Sequence, residues 1–279
     1  MSDVRPIGVF DSGAGGLTVL GELHRQLPAE RLLYLADLAH FPYGPRYQHE
    51  VREFALRIVE HLVGQDVKLV VIACNTASAA ALQSARERFD VPIVGVIAPG
   101  AQAAVAATRN GRVAVISTEG TFASQQYLHA IKEANPAVGV LAKAAPELVE
   151  IVEAGEADSP RADAALNEVL AEIRAWGADT LVLGCTHYPL LRPALRRVAG
   201  RGLRIVDSAE TTAARVKRIL RTNRLESGGD PAAPPRIVVT ADPQRFAVSA
   251  RMLFGDTLPA AEILELWGDA RATAQRVAS

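Results

Sequence analysis

Short apolar runs alternate with longer amphipathic segments along almost the whole chain. The longer segments, such as residues 48–63 and 160–176, carry apolar side chains at the spacing of a helix with one buried face. The short runs have the length and composition of buried strands. These runs are residues 7–10, 32–36, 69–73, 91–96, 112–116, 138–142, 181–184, 203–206 and 236–240. Because strands that alternate with helices form mostly parallel sheets, the pattern predicts an α/β fold.

The two halves of this pattern resemble each other. The first strand is followed by a turn of small and polar residues at 11–18, and the strand at 112–116 is followed by a similar turn at 117–121. Each half continues with a strand that ends at a cysteine, then a helix and a short strand. The repeat predicts two α/β domains related by a pseudo-twofold axis, with parallel-rich sheets and the active site in the cleft between them.

The position of the last predicted strand sets the domain boundaries. This strand, residues 236–240, follows a stretch at 225–235 that is rich in glycine and proline and is expected to be flexible. We expect the strand to return to the sheet of the first half, which makes that domain discontinuous. Residues 1–98 and 210–279 then form domain 1, and residues 99–209 form domain 2. The last two predicted helices are residues 246–254 and 260–266.

Cys74 and Cys185 are the only cysteines in the chain, and each follows a predicted buried strand directly. In α/β domains, ligands collect beyond the carboxyl ends of the strands, where the next helices point their N-termini. Amide groups and the helix dipole at such a position can stabilise a thiolate. The two thiols are therefore candidates for reactive groups in one cleft, although buried free cysteine can also serve simply as a small apolar residue.

Two thiols on opposite sides of one carbon atom suit the inversion of a stereocentre. One group removes the α-proton from one face, and the other delivers a proton to the opposite face. Asp11, in the first glycine-rich turn, and His187, two residues after Cys185, are expected to orient and bias the two thiols. A nucleophilic cysteine hydrolase is the alternative, but it leaves the second cysteine unexplained. Direct triad geometry between Cys185 and His187 is not expected, because they are so close in sequence.

Composition narrows the possible partners. The formal net charge is -1, from 30 basic and 31 acidic residues, so no general attraction to nucleic acid or to an anionic membrane is expected. No run reaches the roughly 18 apolar residues of a membrane helix, and the first residues lack the apolar core of a signal peptide. A cytoplasmic location is therefore expected. Neither a CxxC nor a Cys/His zinc pattern is present, so no metal site is predicted.

Four motifs resemble the signatures of the glutamate racemases, which belong to the aspartate/glutamate racemase superfamily. They occur in the same order and at similar spacing across essentially the whole chain. The motifs are Gly-Val-Phe-Asp-Ser-Gly-Ala-Gly-Gly-Leu-Thr at 8–18, Phe-Pro-Tyr-Gly at 41–44, Ala-Cys-Asn-Thr-Ala at 73–77 and Leu-Gly-Cys-Thr-His-Tyr-Pro at 183–189.

The resemblance implies interconversion of L- and D-glutamate without pyridoxal phosphate, metal or another cofactor, to supply D-glutamate for peptidoglycan synthesis. It also implies that Cys74 handles the α-proton of the D-enantiomer and Cys185 that of the L-enantiomer. Asp11 and His187 match the assisting polar residues of the family, and Glu153 falls where the family has a further carboxylate. Members of the family are commonly dimers, so a homodimer is expected.

The resemblance further implies a set of residues that hold the substrate. These residues are Asp11, Ser12, Tyr43, Gly44, Asn75, Thr76, Thr118, Thr121, Thr186 and His187. One departure concerns Glu153: many members read Cys-Pro before its helix, whereas this chain reads Ala145-Pro146. The acidic residues of that helix could equally form a solvated face. A racemase for another acidic amino acid, such as aspartate, and a non-catalytic α/β amino-acid-binding protein are the alternatives.

Overall fold

Two sheets of parallel strands form the framework of the computed structural model, which describes residues 2–228, 231–255 and 258–268. Within these residues, one sheet has the strand order β10-β9-β2-β1-β3-β4 and the other has the order β6-β5-β7-β8. The strands are β1 (Ile7–Asp11), β2 (Leu32–Ala36), β3 (Leu69–Ile72), β4 (Ile93–Gly95), β5 (Arg112–Ser117), β6 (Gly139–Ala144), β7 (Thr180–Gly184), β8 (Arg204–Asp207), β9 (Arg236–Val239) and β10 (Glu262–Ile263). The predicted α/β fold class is thus confirmed.

Helices cover both faces of the two sheets. They are α1 (Leu17–Gln26), α2 (Gln48–Gly64), α3 (Asn75–Arg88), α4 (Ile97–Ala107), α5 (Glu119–Ala123), α6 (Gln126–Ala134), α7 (Glu147–Glu153), α8 (Pro160–Trp176), α9 (Arg192–Ala199), α10 (Ser208–Asn223) and α11 (Pro243–Phe254). Local signals explain the sharp bounds of α8. Ser159 caps its N-terminus, Pro160 occupies the first turn, and Gly177 ends it in the left-handed conformation with φ 78°.

The strand order repeats between the sheets. The order β2-β1-β3-β4 in the first sheet corresponds to β6-β5-β7-β8 in the second, with strands taken in the same sequence along the chain. In the first sheet β1 pairs with both β2 and β3, and in the second sheet β5 pairs with both β6 and β7. Cys74 and Cys185 follow the equivalent strands β3 and β7. This correspondence supports the pseudo-twofold relation predicted from the sequence.

Burial on both faces explains why the central strands are continuous apolar runs. All four residues of β3 and all five of β7 are buried. The first sheet lies between two apolar clusters, one with α1 and α10 and one with α2 and α3. The second sheet is covered by a cluster with α7 and α8 and by one with α4 and α6. Sheets covered on both sides leave their strand ends as the sites open to a ligand.

The C-terminal part differs from the prediction in one element. Residues 236–239 pair with β2 in the first sheet, as expected. The prediction of a helix at residues 260–266 is wrong. Glu262 and Ile263 instead form an edge strand beside β9, and the amide of Leu264 donates to the carbonyl oxygen of Val239 at 2.8 Å. Pairing with an exposed sheet edge outweighs the local helical spacing here. The helix predicted at 246–254 is present and begins earlier, at Pro243.

The stretch expected to be flexible is anchored at Ser227. The carboxylate of Glu30 accepts hydrogen bonds from the amide and hydroxyl of Ser227 at 2.9 and 3.0 Å, and the Lys68 ammonium pairs with the same carboxylate at 2.5 Å. Both charged side chains are buried, so this ion pair fixes the chain as it leaves α10. Residues 229, 230 and 269–279, which belong to the predicted stretch and to predicted domain 1, lie outside the described residues.

A helix that could cross a membrane is not found among the described residues, where the longest helices, α2 and α8, have 17 residues each.

Candidate active site

A cavity of about 300 Å³ lies where residues that follow the strands of both sheets come together. Cys74, after β3, and Cys185, after β7, both line it. The structure thus brings the only two thiols to one cavity from equivalent positions in the two sheets. The predicted site residues that line the cavity are Ser12, Tyr43, Gly44, Cys74, Asn75, Thr76, Thr118, Cys185, Thr186 and His187. The three predicted residues that do not line it are Asp11, Thr121 and Glu153.

Cys74 caps the N-terminus of α3. Its sulfur accepts a hydrogen bond from the amide of Ala77 at 3.4 Å and lies 4.0 Å from the Ser12 hydroxyl. Burial raises the pKa of the Cys74 thiol above its ordinary value, and the nearby Asp11 carboxylate raises that pKa further. The Ala77 amide opposes this shift without cancelling it. Although the helix N-terminus offers stabilisation to a thiolate, the neutral thiol is therefore the form that this environment favours.

Cys185 belongs to a chain of polar contacts that the sequence argument did not expect. Its sulfur lies 3.8 Å from His187 Nδ1, and His187 Nε2 lies 2.7 Å from a carboxylate oxygen of Glu153. The expectation that Cys185 and His187 are too close in sequence for triad geometry is therefore wrong. The chain turns tightly after β7, where the amide of Tyr188 donates to the carbonyl of Cys185 at 3.2 Å. This turn places both side chains on one side of the backbone.

The surroundings of His187 favour its protonated form. Burial alone would lower the pKa of the imidazole, but the hydrogen bonds to Cys185 and Glu153 outweigh burial and raise the pKa to about 10. Burial likewise opposes ionisation of Glu153, yet its hydrogen bond to His187 lowers the pKa of the carboxyl group below the ordinary value. These contacts thus favour an imidazolium ion at His187, held between a sulfur atom and a carboxylate.

Glu153 is not part of a solvated helix face. Its side chain is 19% exposed, whereas Glu150 on the same helix is exposed at the rim of the cavity. The second carboxylate oxygen of Glu153 accepts a hydrogen bond from the hydroxyl of Ser249 on α11 at 3.3 Å, and the positive charge of Arg245 also lowers the pKa of Glu153. No sequence signal pointed to Ser249 or Arg245, because α11 reaches Glu153 only through the fold.

Asp11 lies behind the cavity wall and is fully buried. One oxygen accepts a hydrogen bond from the amide of Gly13 at 3.0 Å, and the other accepts one from the hydroxyl of Thr186 at 3.4 Å. Burial raises the pKa of Asp11, and the charge of His187 partly offsets the increase. Asp11 therefore connects the glycine-rich turn of the first sheet to the loop that carries Cys185, rather than serving one thiol alone.

The glycine at position 15 allows this close approach between the two sheets. A Cβ atom at Gly15 would lie 2.6 Å from both Thr186 Oγ1 and His187 Nδ1. Such a distance is far below van der Waals contact, so a larger residue would displace the imidazole that contacts Cys185. The glycine-rich turn thus has a steric role as well as the amide donors that its sequence suggests.

Hydroxyl and amide groups form the opposite wall of the cavity. The hydroxyl of Thr76 lies 2.9 Å from that of Thr118 and 3.2 Å from that of Thr121, which explains how Thr121 supports the wall without lining it. The side-chain carbonyl of Asn75 accepts a hydrogen bond from Tyr127 at 2.7 Å. Its Nδ2 atom is buried, and no acceptor for it lies within reach among the described residues. A buried donor of this kind is costly unless a ligand supplies the acceptor.

The loop at 41–45 closes the cavity from the side of the first sheet. The carbonyl oxygen of Gly44 accepts a hydrogen bond from the amide of Gly120 at 2.8 Å, and the side chain of Gln48 donates to the carbonyl of Gly120 at 2.9 Å. Sequence reasoning did not assign several lining residues, although two of them lie in the Phe-Pro-Tyr-Gly motif. The lining residues missed are Phe41, Pro42, Pro45, Glu119, Pro146, Val149 and Glu150.

The cavity lining has few charged side chains, and two of them, Glu119 and Glu150, are acidic. His187 is the only basic side chain among the described lining residues, which include no lysine or arginine. In the described parts of the chain, no three His, Cys, Asp or Glu side chains gather in a group that could hold a metal ion. An anionic ligand would therefore be held by hydroxyl groups, amides, helix N-termini and one imidazolium ion.

Comparisons with known proteins agree with this architecture. The sequence is 48% identical over 240 residues to a glutamate racemase from Deinococcus radiodurans, which covers 85% of this chain and 82% of that protein. The structure matches a glutamate racemase isoform from Bacillus anthracis with a TM-score of 0.90, at 37% identity and with 94% and 98% of the two chains covered. It matches the Francisella tularensis glutamate racemase in complex with D-glutamate with a TM-score of 0.87, at 30% identity and with 95% and 99% covered.

The family relationship extends through both sheets. Residues 7–216, which run from β1 into α10, match the Asp/Glu/Hydantoin racemase family. This range includes both cysteines and every other residue that the sequence singled out as a site residue. On this match and on the identity to its relatives, the chain belongs to the Asp/Glu/Hydantoin racemase family.

Proposed function

We propose that this chain is a glutamate racemase, an isomerase that interconverts L- and D-glutamate by two-base proton transfer without a cofactor. The observation that carries the proposal is the pair of thiols that face one cavity from equivalent strand ends of two sheets. Names of relatives at 48% identity support glutamate as the substrate. We further propose that the product supplies D-glutamate for peptidoglycan synthesis.

The two thiols have different roles in the resting protein. We assign Cys185 as the base toward L-glutamate, as the resemblance to the glutamate racemases implies, and the His187 side chain 3.8 Å from its sulfur supports a proton-transfer role for this thiol. Its thiolate takes the α-proton, and the neutral Cys74 thiol donates its own proton to the opposite face of the carbanion. The C–H bond breaks toward one sulfur as a new C–H bond forms from the other, which leaves a thiol at Cys185 and a thiolate at Cys74. The reverse transfer converts D-glutamate.

The polar wall of the cavity is assigned to substrate binding. Asn75 has a buried amide donor to offer, and the hydroxyls of Ser12, Thr76 and Thr186 border the same cavity. Such groups suit the carboxylates of an amino acid, since each charge-assisted hydrogen bond is stronger than a neutral one. Tyr43, Gly44, Thr118 and His187 complete the lining residues assigned to binding. Thr121 contacts Thr76 and Asp11 contacts Thr186, so both support the site from behind its wall.

Racemisation in D₂O tests both the activity and the geometry. From pure L-glutamate with no added cofactor, we expect D-glutamate that carries solvent deuterium at Cα, while the remaining L-glutamate stays largely unlabelled at low conversion. The physical reason is that the proton removed by one thiol is not the proton delivered by the other. Mass spectrometry of the separated enantiomers measures the label. A lack of D-glutamate would reject the function, and substantially unlabelled product would reject the two-thiol geometry.

Aspartate is expected to react more slowly than glutamate. Its side chain is one methylene shorter, so it cannot satisfy both walls of the cavity at once, and one methylene is worth roughly 10- to 200-fold in discrimination. The ratio of kcat/KM for L-glutamate and L-aspartate, measured on the same preparation, gives the answer. Comparable values for the two amino acids would mean that the assignment to glutamate is too narrow, although proton transfer by two thiols would still stand.

Three further assignments belong to this proposal. We retain the division into domain 1 (residues 1–98 and 210–279) and domain 2 (residues 99–209), in which each domain contributes one thiol. A homodimer is proposed from the resemblance to the family, and sedimentation velocity tests it. A cytoplasmic location is proposed because both cysteines must stay reduced for proton transfer, and thiols persist in that compartment.

A further inference from the structure

Asp37 is a fully buried carboxylate that does not line the cavity. It follows β2, and four side chains place a polar atom within hydrogen-bond distance of its two oxygens. Oδ2 lies 2.5 Å from the Tyr43 hydroxyl and 2.9 Å from His40 Nδ1. Oδ1 lies 2.7 Å from the Thr240 hydroxyl and 2.8 Å from the indole nitrogen of Trp267. We call these five residues the Asp37 network.

The Asp37 network uses the full capacity of the carboxylate. An ionised carboxylate accepts hydrogen bonds at about four lone-pair positions and donates none. A buried carboxyl group without hydrogen-bond partners is costly, so the four contacts hold Asp37 in its place. Loss of a contact at one oxygen therefore shifts the carboxylate and changes its charge distribution. The groups that contact the other oxygen are affected in turn.

The two oxygens connect different parts of the molecule. Oδ2 holds Tyr43, which lines the cavity, whereas Oδ1 holds Thr240 at the end of β9 and Trp267 after β10. Tyr43 is 1% exposed and its hydroxyl donates to Asp37, so this hydrogen bond helps to fix the orientation of the ring. The C-terminal segment thus reaches the cavity wall through one buried carboxylate.

Trp267 is fixed by contacts besides its hydrogen bond. Its ring packs edge-on against His40 at a centroid distance of 4.4 Å and against Phe54 at 5.6 Å, and the Arg57 guanidinium lies 5.2 Å from its ring centroid. His40 in turn stacks on Phe54 at 3.8 Å. The packing of these rings therefore orients the indole N–H toward Asp37.

We infer that Trp267 and Thr240 are positioning residues for substrate binding, which hold Asp37 so that Tyr43 keeps its place in the cavity wall. This inference rests on the proposed function, because Tyr43 is assigned there to the substrate site. It extends the site to two residues that lie beyond the family match at 7–216, and each of them reaches Tyr43 through Asp37. Trp267 also packs on Phe54, whose ring lies 5.9 Å from that of Tyr43, whereas the Thr240 variants leave this ring contact in place.

Replacement of the indole by a phenyl ring tests the inference. Trp267→Phe retains an aromatic ring but loses the N–H donor, so KM for both enantiomers of glutamate should rise by about 3- to 10-fold, as expected for partial transmission of one charge-assisted hydrogen bond. The value of kcat should change by less than about twofold, because a binding contact and not a proton-transfer group is weakened. Trp176→Phe is the matched control, since Trp176 ends α8 beside Arg112 and should leave both constants unchanged.

A second pair of variants separates positioning from general stability. Thr240→Val removes the other donor to Oδ1 and should raise KM as Trp267→Phe does, whereas Thr240→Ser keeps the hydroxyl and should restore the lower KM. A merely structural role would lower the active fraction, and hence the apparent kcat, with KM unchanged. That result, or unchanged constants in Trp267→Phe, would overturn the inference. An inactive wild-type protein would instead reject the proposed function.

If Trp267→Phe does not fold, the fluorescence of Trp267 tests the inference instead. Trp176 and Trp267 are the only tryptophans of the chain, so Trp267 is the sole indole emitter in the Trp176→Phe protein. Saturation with glutamate should then change the emission of Trp267, because substrate contact with Tyr43 is transmitted through Asp37. Emission that is identical with and without glutamate in an active Trp176→Phe protein would overturn the inference.

Discussion

Cys74→Ala and Cys185→Ala proteins are each expected to racemise glutamate about 10²- to 10⁴-fold more slowly than the wild type, which is the range for a positioned acid-base group. Either change removes one of the two groups that must act on opposite faces of Cα. The effect should appear in kcat/KM from both enantiomers equally, because L- and D-glutamate have the same free energy and the equilibrium constant is unity. A coupled assay or circular dichroism of the substrate measures both directions.

Serine variants and folding controls accompany this experiment. Cys→Ser at either position should be nearly as damaging as alanine, since a hydroxyl is far less acidic than a thiol. Both cysteines are almost fully buried, so thermal unfolding must show that each variant retains the fold. Folded Cys74→Ala or Cys185→Ala protein with more than about a tenth of the wild-type rate would contradict the two-base mechanism.

His187→Asn is expected to lower kcat/KM by about 10²-fold, at the lower end of the range for acid-base groups. The change removes the positive charge that lies 3.8 Å from the sulfur of Cys185 and is held by Glu153 at 2.7 Å. Cys185 then loses the charged group beside its sulfur while the protein keeps both thiols. Steady-state kinetics at neutral pH, with unfolding as a control, measures the loss. A rate within about threefold of the wild type would remove His187 from the mechanism.

The contact between His187 and Glu153 also predicts the direction in which the pH profile of kcat/KM shifts in the Glu153→Gln protein. The contacts to Cys185 and Glu153 raise the pKa of His187 from its ordinary value of 6.5 to about 10, so the positive charge beside Cys185 is present at neutral pH and is lost as the pH rises through about 10. Glu153→Gln removes one of the two partners that raise this pKa. The alkaline decline of kcat/KM should therefore move to lower pH than in the wild type.

A matched variant on the same helix isolates this effect. Glu147 lies on α7 but does not line the cavity, and no hydrogen bond joins it to His187. Glu147→Gln should therefore leave the alkaline limb where it is in the wild type, even though it removes an equal charge. A shift of the same size in both variants would indicate a general effect of charge and would argue against a specific role for the contact between His187 and Glu153.

The strands and helices that form the framework of the fold are predictable from the local sequence. Buried strands such as β3 appear as continuous apolar runs because both faces of the sheet are covered, and the bounds of α8 follow from Ser159, Pro160 and Gly177. The two cysteines follow equivalent strands, so their meeting at one cavity was predictable from the repeat alone. Residues 260–266 were predicted wrongly because the free edge of β9 lies far away in sequence, and no local pattern reports its presence.

The sequence by itself determined the α/β framework, the two strand-end thiols and the small polar residues around them, because strand periodicity and strand-end turns are local properties of the chain. Only the tertiary structure decided which distant groups tune these residues. Glu153 meets His187 and Ser249 across separations of 34 and 96 residues, and Asp37 meets Trp267 across 230 residues. The pKa of His187 and the contacts of Trp267 depend on burial and packing between such segments. The spacing of residues along a single segment therefore cannot predict either of them.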